Sequence, residues 1–237
     1  MIQTEGIFVG GSAISAPIIG EDFNWSGGDG TYQVLDDGGS NWRIKFLSSG
    51  TFTPLKNMVI DVFLVGGGGG AGSSYCGEGG AGYTTTVRSV VLTANTAYSI
   101  VVGAAGTNGN PSSAGGETTA FTASAAGGKN TSNGTSSSKR PGGAGGSGGA
   151  GYVSPVATTT GGTDGGDGTS SATTGGKGQG TTTREFGEAD GTLYASGGGS
   201  NLTATVSNSG NGGRNGITSI APADGIVVIR QHKEVAA

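Results

Sequence analysis

The chain has 237 residues, ample for a buried core and enough for one large or two small domains. Charged residues make up 12% and the net charge is −4, without the clustered Lys and Arg that nucleic acid or an anionic membrane would require. Glycine numbers 54 against only 6 prolines, with no unbroken Gly-X-Y register, which excludes collagen.

Residues 1–5 (MIQTE) lack the basic-then-apolar pattern of a signal peptide, and no stretch approaches membrane-spanning length. Phe23 and Trp25 sit in FNWSGG, where Trp25 has no strand around it. Packing against a partner chain is one reading of the pair, which makes them candidate assembly residues. Residues 32–35 and 42–47 are short β-like runs separated by the turn cluster DDGGS at 36–40, and Trp42 is expected in the core. Pro54 limits the preceding TFT to a strand end or edge. Met58–Val65 (MVIDVFLV) is nearly all apolar, the pattern of a strand buried on both faces. Residues 84–92 and 98–102 alternate as strands, with TANT at 93–96 as the hairpin loop, and GIVVIR at 225–230 closes the sheet. No amphipathic helix is evident, so the fold class is all-β: a small antiparallel sandwich carrying a glycine-rich bundle.

From residue 103 to about 223 apolar periodicity fades and triplet glycine spacing takes over. The run from Gly142 to Gly151 keeps a strict period of three, with only Ala or Ser in the third column. The same spacing returns at Gly66, Gly69 and Gly72, and at Gly103, Gly106 and Gly109. It returns again at Gly162, Gly165 and Gly168, and at Gly210, Gly213 and Gly216. Period three belongs to neither helix nor strand but to the extended left-handed polyproline-II conformation, which has no internal hydrogen bonds. A flexible linker is the competing reading of such composition. Phase kept over several triplets, and anchors such as TREFG at 183–187 and LYA at 193–195, favour ordered rods bonded to one another through their amides. The expected division is 41–102 plus 224–231 as sandwich, 103–223 as rods with distal loops, and 1–40 as an attachment segment.

Several stretches together resemble a glycine-rich domain of bacteriophage and prophage tail proteins. They are FLSSGTFTP at 46–54, DVFLVGGGGG at 61–70, GQGTTTREFG at 178–187, YASGGG at 194–199 and GIVVIR at 225–230. The resemblance covers roughly residues 42–231. It implies kinship with tail-fibre tip adhesins, in which polyglycine-II rods form a sandwich and distal loops bind the bacterial surface receptor. It further implies a virion protein of the tail, made in the bacterial cytoplasm, whose partners are other virion proteins and a host surface polysaccharide or protein. A homo-oligomer is expected, with a trimer favoured. A capsid decoration or head-fibre protein with a purely structural role is the alternative. No match carries over individual receptor contacts. From the residues themselves the candidates are Tyr75, Asn130, Asn133, Lys139, Arg140 and Tyr152, in loops or polar tracts beside glycine runs.

Chemistry is sparse. His232, the single histidine, lies in a polar tail and is expected to be solvated rather than set beside a nucleophile. Cys76 has no cysteine partner, which fits synthesis in a reducing cytosol, and no zinc set can be assembled. GEGGAG at 77–82 satisfies GxGxxG formally, but a strand-like run follows it where a dinucleotide site needs a helix. Asp164 and Asp167 leave calcium open, with turn chemistry the alternative. The expected protein is not an enzyme and needs no cofactor.

Overall fold

A computed structural model describes residues 22–38, 41–134, 140–152, 160–166, 170–177, 182–215 and 219–232. Within them lie ten strands: β1 (Phe23–Trp25), β2 (Tyr32–Asp36), β3 (Trp42–Phe46), β4 (Gly50–Pro54), β5 (Met58–Val65), β6 (Thr84–Leu92), β7 (Tyr98–Val101), β8 (Thr118–Ala120), β9 (Ala123–Ala125) and β10 (Ile226–Gln231). They form two five-stranded antiparallel sheets, ordered β1-β4-β7-β8-β9 and β2-β3-β10-β5-β6. β5 and β10 sit side by side in the second sheet, Val65 opposite Ile226 and Ile60 opposite Gln231. The sandwich and its closing strand are as the sequence predicts.

Alternation along β5 decides what each face buries. Ile60, Val62 and Leu64 join Ile44, Phe46, Val227 and Ile229 in a core completed by Phe23, Phe52, Leu92 and Ile100. Phe63 and Val65 point the other way, with Ile226 and Val228, and are covered by Phe186, Tyr194 and Ala195. The segment around TREFG is therefore a strap across the outer face of the second sheet, which explains why β5 carries almost no polar residue.

Three expectations change. Trp25 is not outside a strand: it ends β1, pairs with Phe52, and stacks its ring 4.7 Å from that of Phe46. Phe23 is 6% exposed in the same core, so the basis for assigning the pair to assembly is gone. The boundaries also differ, since β1 and β2 fall before residue 41 while β8 and β9 fall after 103. These strands are short and held by non-local pairing, which local pattern does not reveal. The run at 142–151 is not one rod. It bends at Gly146 and Ser147 and doubles back, Gly149 donating to Gly143 O at 2.8 Å.

The glycine segments extend the sandwich strands. β5 continues as a rod at 66–71, and the chain returns along 78–83 into β6. β7 leads into 103–109, which returns along 113–116 to β8. β9 leads into 126–131, and 220–223 descends into β10. Amides of 66–71 donate in three directions in turn. Gly66 and Gly69 donate to Tyr83 O and Gly80 O (3.0 and 2.8 Å), and Gly67 and Gly70 to Gly116 O and Ser113 O (3.0 and 2.9 Å). Gly68 donates to Ala223 O at 2.9 Å. The carbonyls answer in the same rhythm: Gly67 and Gly70 accept from Gly128 and Thr131, Gly68 and Ala71 from Gly106 and Gly109, and Gly69 from Gly213. One rod is thus surrounded by 78–83, 103–109, 113–116, 126–131, 210–213 and the chain at 223.

The rod at 78–83 is surrounded equally. Glu78 and Ala81 donate to Ala150 O and Ser147 O, Gly79 and Gly82 to Gly213 O and Gly210 O, and Gly80 and Tyr83 to Lys129 O and Ala126 O. Segments 66–69, 143–146 and the chain at 198 donate back to it. Their amides point in three directions in turn and neither rod has the positive φ seen at Gly109 and Gly210, which is the pattern of the left-handed polyproline-II sense. Glycine is required here by close approach. A Cβ on Gly68 would stand 1.8 Å from Asn211 O, and one on Gly80 2.2 Å from Ala144 O.

Candidate recognition tip

Rods that leave the sandwich and return must turn at the far end. Among the described residues that end is formed by 72–77, 110–112, 132–134, 140–141, 214–215 and 219, joined there by 151–152, 171–174 and 199–202. At rod ends the threefold ladder runs out of backbone partners, and polar side chains replace them. Asn108 Oδ1 accepts from the amide of Ala71 at 2.8 Å, while its Nδ2 donates to Ile220 O at 2.9 Å. Thr131 Oγ1 accepts from the amide of Gly72 at 3.1 Å. The tip is held from inside, so its outer residues are free to differ from the rods in composition.

The structure sorts the sequence candidates. Tyr75 and Tyr152 come together, their rings perpendicular with centroids 5.7 Å apart. Tyr75 is 47% exposed and adopts φ 48°, a left-handed conformation fixed by the loop. Arg140 lies beside them, its carbonyl accepting from the amide of Tyr152 at 2.9 Å, and its Nε has no hydrogen-bond partner among the described residues. The two asparagines are braces. Asn133 accepts from the amide of Ser73 at 2.6 Å and donates to Ser73 Oγ at 2.9 Å; Asn130 donates to Ser112 O at 2.9 Å. Lys139 lies outside the described residues.

Beside the tyrosine pair opens a cleft of 310 Å³. Glu78, at the end of its rod, lies in the lining, and Asn215 donates its amide to Glu78 Oε2 at 2.6 Å. Burial pushes the Glu78 carboxyl up to about 7, against the opposing pull of the Asn215 amide and the Arg214 charge. Arg214 is itself held, donating to Leu202 O at 2.9 Å. Ser73, Thr173 and Ser200 bring hydroxyls to the lining. Cys76 also lines it, its thiol raised to about 11 by burial and by Glu78, so it stays protonated at neutral pH. Sequence reasoning passed over Glu78, although a lone carboxylate inside GEGGAG was the available signal.

His232 is not solvated. Its Nδ1 lies 2.6 Å from Asp61 Oδ1, and Ser89 Oγ lies 3.0 Å from Nε2. A bulge in β6 brings this about: Ile60 pairs with Val90 but Val62 with Val87, so Arg88 and Ser89 (φ 58°) together face Asp61. The set has the members of a hydrolytic triad without its geometry. Ser89 Oγ is also 3.5 Å from Nδ1, which puts it beside the ring and off the Nε2 lone-pair axis. Asp61 is moreover committed to Arg88 and Arg230, each at 3.1 Å. This cluster, centred on the fully buried Asp61, stitches β5, β6 and β10 together. Of the aspartates considered for calcium, Asp164 accepts from the amide of Gly148, and Asp167 lies outside the described residues. No group of three or more metal-ligating side chains occurs among the described residues. Nor is any helix among them long and apolar enough to cross a membrane.

Residues 47–230 match the family described as a glycine-rich domain, and the chain belongs to that family. No curated protein matches the chain.

Proposed function

We propose that the protein is a phage or prophage virion component, a tail tip adhesin that recognises a host surface receptor through the loops beyond its glycine rods. The observation that carries this reading is the pairing of a scaffold bonded amide to amide with the Tyr75–Tyr152 pair and a cleft of polar side chains at its far end. Loops whose bases are fixed lose little ordering entropy when a receptor docks, so modest contacts suffice. Many copies per particle multiply them further. The recognition is non-covalent.

The experiment is host binding. Labelled protein should adhere to host cells and compete with the phage for infection. Protein that binds no host cell, and that immunogold labelling places only on the capsid lattice, would overturn the reading in favour of a capsid decoration.

A further inference from the structure

We propose that the cleft between the Tyr75–Tyr152 pair and Glu78–Asn215 is a subsite for one neutral sugar ring of a host surface glycan. The proposal rests on the adhesin reading and narrows the receptor to a saccharide.

The walls make the choice. Among the described residues no Leu, Ile, Val, Phe, Met or Trp lines the cleft, so these walls offer a peptide side chain no apolar pocket to fill. The large carbon surfaces there are the two tyrosine rings, which suit the C–H faces of a pyranose. Around them stand hydroxyl, amide and carboxyl groups, which match the alternating donor and acceptor character of sugar hydroxyls. Glu78 Oε2 is taken by Asn215, and its other oxygen accepts no hydrogen bond among the described residues. At 310 Å³ the cleft lies near the lower bound of about 300 Å³ for ligand pockets, which fits a single ring better than a long chain. An acidic sugar would meet the Glu78 carboxyl, while of the two arginines nearby Arg214 is already directed at Leu202 O and Arg140 does not line the cleft.

The test is saturation-transfer NMR on the whole protein, with methyl glycosides of glucose, galactose, mannose and N-acetylglucosamine at millimolar concentration, and N-acetylneuraminic acid as the acidic probe. At least one neutral glycoside should receive saturation at its ring C–H protons. Tyr152→Ala and Glu78→Gln should each weaken that binding about tenfold or more, while Asn130→Ala, which alters a brace outside the cleft, should not. A urea midpoint that does not fall for Tyr152→Ala and Glu78→Gln shows that the scaffold is intact. Periodate treatment of host cells should abolish adhesion and protease treatment should spare it. Saturation of the acidic probe alone, or of none, overturns the subsite, as does full affinity in the Tyr152→Ala variant. Adhesion lost to protease and kept after periodate sinks the saccharide while leaving the adhesin standing. Glycoside binding without cell adhesion does the reverse.

Discussion

The rod at 66–71 offers a test whose sign separates a packed scaffold from a flexible tether. Gly68→Ala would place Cβ 1.8 Å from Asn211 O, whereas carbon and carbonyl oxygen approach no closer than about 3.3 Å. Relief requires the rods to part by about 1.5 Å at that point. Asn211 O accepts from the amide of Ala223 at 2.9 Å, and two residues on Gly213 donates to Gly69 O at 2.8 Å. Neither bond survives such a shift, because hydrogen bonds of this kind end near 3.2 Å. Buried partners left unsatisfied cost about 1–3 kcal/mol for each lost bond, so the substitution should remove about 2–6 kcal/mol. Typical domains have only about 5–15 kcal/mol in total. In a tether the same change would stabilise by about 0.4–1 kcal/mol through the unfolded chain. Urea unfolding followed by circular dichroism should show a large fall in midpoint at unchanged slope. Gly116→Ala is the matched control, its Cβ meeting nothing nearer than 3.0 Å. An equal or higher midpoint for Gly68→Ala would refute the packed-rod account.

Three other outcomes follow from the same geometry. Hydrogen exchange should find the amides of Gly67, Gly69, Gly80 and Gly82 protected to the level of global unfolding, with the amides of Ser74 and Tyr75 exchanging far sooner; comparable rates would contradict the ladder. Burial acts to raise the Asp61 carboxyl, but hydrogen bonds from His232, the Ser89 amide and Arg230 outweigh it and hold the group below its usual value. That stability is present above the unfolded pKa of 3.8 and is lost as pH falls through the folded value, so acid unfolding should shift to higher pH in Asp61→Asn, which also forfeits about 3–5 kcal/mol of buried ion pairing. Glu78 behaves oppositely. Its carboxyl is raised from 4.5 to about 7, so stability should decline as pH rises between those values and level off above them, and Glu78→Gln should remove the decline.

How much of this was legible depends on whether the cause is local. Met58–Val65 announces two buried faces in its own residues, and even Asp61 within it signals a partner, since a carboxylate is not buried alone. The period of three announces rods for a similar reason, because every third residue of such a chain faces the same neighbour. What periodicity cannot convey is which rods touch. The bend at Gly146 and Ser147 is invisible because the spacing is identical on both sides of it. Trp25 was misread because β1 has three residues and exists only through its pairing with β4. His232 joins Asp61 and Ser89 because β10 runs beside β5 and the β6 bulge faces them, none of which is written near residue 232.

The tip shows the same division, between the groups that hold the rods and the groups that face outward. Tyr75 and Tyr152 meet because 78–83 packs against 147–150, which is fixed by glycine placement and by nothing in the tyrosines. Rod cohesion consists of amide pairs, so it depends on where side chains are absent. The outer tip residues are therefore released from any role in folding, apart from braces such as Asn108, Thr131 and Asn133 that finish the ladder. Exchanging Tyr75 or Tyr152 should change what the cleft accepts and leave the urea midpoint where it was. Exchanging Asn108 should loosen Ala71 together with Arg214 and Ile220, because one amide side chain serves all three. A surface built this way can change its residues without renegotiating its fold.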